Sequence, residues 1–166
     1  MAITYEPIAT TTLSTATATV TFSSISGSYT DLILVVQAAN SSASTNWALA
    51  LRFNSDTGSN YSRTYMVGDG SSAASANTSN ATSFNGIVTL ANNVLNSAHI
   101  AQIQNYSNTT ANKTILTRSN TTAATYAFVG LWRNTAAITQ IDCFIESAGV
   151  NISSGSTFTL YGVLAA

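Results

Sequence analysis

The sequence predicts an all-β protein, a β-sandwich of jelly-roll type with about ten short antiparallel strands. Three observations lead there. Apolar residues recur with a period of two and almost never with a period of 3.6. The runs are short and bounded by Ser, Asn, Gly or Thr clusters. Thr, a β-branched residue that suits a pleated surface, is the commonest residue of the chain. Many short strands at this spacing are the usual pattern of sandwiches and jelly rolls.

The expected strands lie near residues 3–13, 17–23, 30–38, 47–54, 61–68, 83–90, 97–106, 112–119, 124–134, 137–146 and 156–164, with one of these segments split or irregular. Pro7, the single proline, suits an edge strand or entry arm. Thr17 to Phe22 alternates. Asp31 to Gln37 is apolar on both faces, so it is expected to be a central strand covered on both sides. Trp47, Leu49, Leu51 and Phe53 alternate with Ala48, Ala50 and Arg52. Tyr126, Phe128 and Gly130 alternate with Ala127, Val129 and Leu131. Phe158, Leu160 and Gly162 alternate with Thr159, Tyr161 and Val163. Only 87–96 has a spacing compatible with a helix, with Leu90, Val94 and Leu95 on one face. The stretch 68–80 is rich in Gly, Ser, Ala and Asn and is expected to be a long exposed loop. Shorter loops are expected at 40–46 and 105–112. No repeat or linker divides residues 1–166, which are read as one domain.

Composition limits the function. Of 166 residues, 7% are charged, against roughly 25% in an ordinary soluble domain. Ser, Thr and Asn, about two-fifths of the chain, hydrate the surface instead. Hydroxyls and amides do not repel neighbouring molecules as charges do, so such a surface tolerates close packing against other protein. The net charge is −1, and Arg52, Arg63, Lys113, Arg118 and Arg133 form no basic stripe, so no nucleic-acid partner is expected. The longest apolar run, Leu32 to Val36, falls far short of the ~20 residues of a membrane-spanning helix. Met1 to Pro7 lacks the basic and apolar regions of a signal peptide.

Little material is present for an active centre. His99 is the single histidine. It lies in a strand-like segment without a G-x-S-x-G neighbour, so a structural, hydrogen-bonded role is expected. Cys143 is the single cysteine, among acidic neighbours Asp142 and Glu146, and is read as a small buried hydrophobe rather than a reactive thiol. One His and one Cys cannot build a structural zinc site. Asp142 and Glu146 share a strand face but stand about 13 Å apart along it, so no glycosidase-type acid pair can be assigned. The polar segment Asn54 to Tyr61 offers oxygen ligands but a single carboxylate, Asp56. It is read as a turn with an Asx-type bond at Asp56 and a positive φ at Gly58, in preference to a calcium site. The sequons at Asn60, Asn77, Asn80, Asn108, Asn112 and Asn120 arise by chance in so Ser/Thr-rich a chain. No enzyme activity, cofactor or metal is expected. Trp47 and Trp132 read as core by default, with interface anchoring as the competing role. Tyr61, Arg63 and Tyr65 form a second group able to contribute to a contact surface, or equally an ordinary solvated strand.

Four segments carry a family resemblance: Ser28 to Leu34, Leu51 to Ser62, Gly130 to Ile138 and Ser154 to Val163. Over about Tyr5 to Val163 the chain resembles tailed-bacteriophage structural proteins, which occur as free-standing small virion proteins and as modules of tail or fibre proteins. The resemblance implies a virion part, head or tail, made in the host cytoplasm. Starting at Met1 and closing on the strand-like Tyr161 to Leu164, the chain is expected to lack a shaft or attachment domain. It is then similar to capsid decoration (cement) proteins, which bind the outside of an assembled head and commonly form trimers. The implied partners are the major capsid protein and further copies of the chain itself. The alternative is a receptor- or glycan-binding domain of the tail using Tyr61, Tyr65 and Asn60.

Overall fold

The computed structural model describes residues 5–164; residues 3 and 4 of the first expected strand lie outside this range. The fold is an all-β sandwich of twelve strands without a helix among the described residues. The strands are β1 (Tyr5–Thr12), β2 (Thr19–Phe22), β3 (Asp31–Gln37), β4 (Trp47–Phe53), β5 (Tyr61–Gly68), β6 (Ala73–Ala81), β7 (Phe84–Thr89), β8 (His99–Ile103), β9 (Lys113–Asn120), β10 (Thr125–Trp132), β11 (Ile141–Ile145) and β12 (Thr157–Val163). A large sheet runs β1-β12-β3-β8-β9-β10-β5-β6 and a small one β2-β11-β4-β7. Every strand pairing in both is antiparallel.

Alternation places one side chain in two between the sheets. Leu32, Leu34 and Val36 of β3, Phe158 and Leu160 of β12, and Ala101 and Ile103 of β8 face inward from the large sheet. Leu49, Leu51 and Phe53 of β4, with Ile141 and Cys143 of β11, meet them from the small sheet. Polar groups also tie the layers: the Thr117 hydroxyl donates to the Gly86 carbonyl at 2.5 Å, and the Val88 N–H donates to Ser119 Oγ at 3.0 Å. Gly86 is the extra residue of a bulge in β7, because Leu49 pairs with Ile87 while Ala50 pairs with Asn85. A Cβ on Gly86 would lie 2.1 Å from the Phe84 ring, and one on Gly130 would lie 2.2 Å from it. Phe84 is therefore clamped between two glycines of opposite sheets.

Three expectations need correction, and the helical alternative at 87–96 is excluded. The stretch 68–80 is not a loop: Ala73–Ala81 is the nine-residue edge strand β6, paired along β5. The connection is the short turn 69–72, where Asp69 Oδ1 accepts the N–H groups of Ser71 and Ser72 at 2.9 and 2.7 Å and Gly70 takes a φ of 90°. The segment 87–96 is not helical. β7 ends at Thr89, and Asn92 and Asn93 adopt left-handed φ values of 55° and 57°, which a helix interior does not allow. β3 is central but covered on one side only, since Val35 on its outer face is 37% exposed. The Asn54–Tyr61 turn does contain the Asx bond, from Gly58 N–H to Asp56 Oδ1 at 2.8 Å. Its left-handed residues, however, are Asn54 and Ser55. Gly58 leaves room instead, since a Cβ there would stand 2.8 Å from Asn60 Nδ2 and push that amide aside.

Candidate functional site

The aromatic and arginine residues singled out from sequence do not form one exposed surface. Tyr61 and Trp132 are 0% exposed and pack with Phe53 in a three-ring cluster, at centroid distances of 5.5 to 6.3 Å. As core residues they cannot anchor a partner on the folded chain. Each has its polar atom satisfied, as buried Tyr and Trp require. The Tyr61 hydroxyl accepts the Phe53 N–H at 2.9 Å, and burial raises its pKa. Trp132 Nε1 donates to Asp56 Oδ2 at 2.7 Å. Partial burial alone would raise the Asp56 carboxyl, but hydrogen bonds from Asn60, Trp132 and the Gly58 N–H hold it below the usual carboxylate range.

Arg63 and Tyr65 sit on the inward face of β5 and are half-buried. The Arg63 guanidinium donates to the Asn85 carbonyl and lies 5.6 and 5.7 Å from the Tyr65 and Phe128 ring centroids. Burial lowers its pKa. Arg63 therefore closes one end of the sandwich. Trp47, half-buried on β4, packs against the core from the small sheet, away from this group.

The polar side chains with chemical potential are engaged internally. His99 is 1% exposed; its Nδ1 pairs with Ser119 Oγ at 2.8 Å and its Nε2 with Ser97 Oγ at 3.0 Å. Burial lowers its pKa to about 4, so the ring is neutral at pH 7. No carboxylate orients it, as a catalytic triad would need. Lys113 is 1% exposed, and its Nζ donates to the carbonyls of Ala111 and Thr135 at 2.6 and 3.1 Å. Burial lowers its pKa too. It ties the loop after β8 to the loop after β10. Asp142 accepts from Thr21 at 2.8 Å and from Gln140, while Glu146 accepts from Ser83 and Asn85. The two carboxylates thus serve separate networks. Cys143 is 0% exposed and its thiol pKa is raised by burial, with the Asp142 charge adding to it. Among the described residues no three His, Cys, Asp or Glu side chains converge as a metal site.

The larger surface open to a partner is the outer face of the large sheet. Registers fix its rows. One row runs Tyr161, Ile33, Gln102, Leu116, Val129, Thr64. The next runs Thr159, Val35, Ile100, Arg118, Ala127, Met66. Met66 is 64%, Val129 52% and Leu116 41% exposed. Among the described residues the charged side chains on this face are Arg118, near its middle, Asp31, near one end, and Arg133, at the margin beside β5 and β6, where its guanidinium donates to Ser62 Oγ and Asn80 Oδ1. Two shallow depressions flank Leu116. One of about 390 Å³ is lined by Tyr5, Ile33, Val35, Ile100 and Tyr161. The other, of about 410 Å³, is lined by Thr64, Asn77, Val129 and Leu131. Beyond it, β6 presents a free edge with eight of nine residues exposed. The sequence signal for this face is the apolar content of both alternating sets in β3, a pattern that a second covering layer would explain equally well.

A scan against protein-family models, a search of curated proteins and a search of solved structures each return no match for this chain.

Proposed function

We propose that this chain is a bacteriophage virion structural protein of the capsid decoration type, bound to the major capsid protein on the outside of the head as a homo-oligomer, a trimer, and without enzymatic activity. The observation that carries the reading is the outer face of the large sheet. It is a largely apolar surface with few charged residues, on a sandwich whose histidine, cysteine and buried lysine are engaged internally. Monomeric proteins rarely expose contiguous apolar patches above a few hundred Å², so a surface of this kind calls for covering protein. A surface hydrated by Ser, Thr and Asn packs against neighbours without charge repulsion. Binding many copies on one particle allows each contact to be modest.

The test is to mix purified protein with capsids lacking it and, separately, with host cells or their surface polysaccharide. Saturable binding to capsids, with a gain in capsid resistance to heat or chelation, is expected. Saturable binding to cells with none to capsids would overturn the decoration reading and favour a tail receptor- or glycan-binding role.

A further inference from the structure

We infer that the outer face of the large sheet is where copies of this chain meet, each covering the apolar face of the next. The inference rests on the homo-oligomer in the proposed function, and does not depend on the capsid as partner.

Size is the first argument. The six strands from β12 to β5, at about 4.8 Å spacing, and about six residues at 3.3 Å each give a face of roughly 30 by 20 Å. That is on the order of 600 Å² in projection, and its accessible area approaches the ~800 Å² per partner of a standard interface.

The second argument is the placement of charge. Charges of opposite sign on one face favour meeting its own copy, because each can find the other on the next copy. Asp31 lies two residues before Ile33, the β8 neighbour of which is Gln102. Arg118 lies two residues after Leu116, the other neighbour of Gln102. The carboxylate and the guanidinium therefore stand on opposite sides of Gln102, diagonally across the face. Gln102 carries an amide that donates and accepts, so it can pair with its own copy. Asp31 Oδ1 accepts the Asn105 N–H at 2.6 Å, which leaves Oδ2 for a partner. Arg118 is exposed. In a two-fold pair of faces the contacts Arg118–Asp31 are reciprocal. The projecting Leu116 and Val129, with a depression on each side, give the face relief that a copy can match.

The experiment measures the mass of the full chain by sedimentation at micromolar concentrations, for wild type, Arg118→Glu, Asp31→Lys and an equimolar mixture of the two. Wild type is expected to be oligomeric. Each single variant brings like charges together and should weaken self-association at least about tenfold. The mixture should regain mixed oligomers, because the carboxylate introduced in one variant then faces the ammonium introduced in the other. Since Asp31→Lys also removes a turn hydrogen bond, Leu116→Lys with Val129→Lys is a second variant. Both side chains point outward, so its thermal midpoint should fall only slightly, through repulsion between the two opposed lysines, while its mass falls to that of one chain. A monomeric wild type, or an unchanged mass in Leu116→Lys/Val129→Lys, overturns the inference. If that variant keeps its mass but loses capsid binding, the face belongs to the capsid; the inference then fails and the decoration reading stands. A wild type that oligomerises through this face but does not bind capsids has the opposite consequence.

Discussion

Mild acidification should destabilise this fold chiefly through His99, and the effect can be worked from the structure. His99 has an imidazole pKa of about 4 in the fold, lowered by burial from an ordinary 6.5. The unfolded chain therefore binds a proton between these values that the folded chain does not. The sign follows: the contribution is fully present above pH 6.5, declines as the pH falls, and is lost below about 4. At about 1.4 kcal/mol per pKa unit, the loss amounts to about 3 kcal/mol. Against a total of roughly 5–15 kcal/mol for a domain, that is a large share. The Asp56 carboxyl, held below its usual range, acts in a lower window, since its contribution is lost only as the pH falls below the ordinary Asp range. The assay is denaturant unfolding at a series of pH values from neutral to mildly acidic, beside an NMR titration of the His99 ring protons. The unfolding midpoint should fall steadily through the window. In His99→Gln, which keeps a donor and an acceptor for Ser97 and Ser119, the slope should flatten. A ring that titrates near its ordinary value of 6.5 in the folded protein, or a wild-type slope that survives in His99→Gln, would refute the reasoning.

Three further outcomes are expected. Gly130→Ala forces a methyl against the Phe84 ring, where the Cβ would lie at 2.2 Å; overpacking should cost about 3 kcal/mol, read as a lowered thermal midpoint, and Phe84→Leu in the same chain should recover part of it. Asp56→Ala removes the acceptor of the Trp132 indole N–H and should cost about 2 kcal/mol in a denaturant melt, with a change in tryptophan fluorescence. Cys143→Ser should leave self-association and capsid binding intact at a packing cost of about 1 kcal/mol; the native thiol, buried and with its pKa raised, should react with a thiol reagent only after unfolding.

The architecture is legible in the sequence because period-two alternation reports strand faces directly. Residues such as Leu49, Leu51, Phe53, Phe158 and Leu160 sit where that pattern puts them. Strand β6 escapes because its sequence, Ala73 to Ala81, has no apolar alternation to report. It is held by backbone pairing to β5 and buries almost nothing. The one available sign is the Asp69-Gly70 dipeptide, a strong hairpin signal that the surrounding Ser and Ala obscure. Trp132 is legible as core from its alternating strand, whereas Tyr61, expected in a contact surface, is core because β5 turns it inward. Their hydrogen bonds to Asp56 and to the Phe53 backbone are not, because those contacts join segments distant in sequence or depend on a turn's shape. The internal roles of His99 and Lys113 likewise depend on which loops and strands lie over them.

The free edges of the two sheets differ in a way that bears on how copies associate. β1 carries Pro7 and a bulge between Pro7 and Ala9, features that block edge pairing, and β2 is only four residues long. β6 has neither proline nor charge along its length, and its irregularity lies at one end, opposite Ser62. Lateral growth of the sheet is thus discouraged at β1 and open at β6. A protein that had to stay monomeric would be under pressure to place a lysine or a proline there, and an apolar outer face beside it would raise that pressure. Both features persist together in a chain with 7% charged residues. If copies meet on the outer face as proposed, β6 lies at the margin of that contact, where a neighbouring chain would shield its edge.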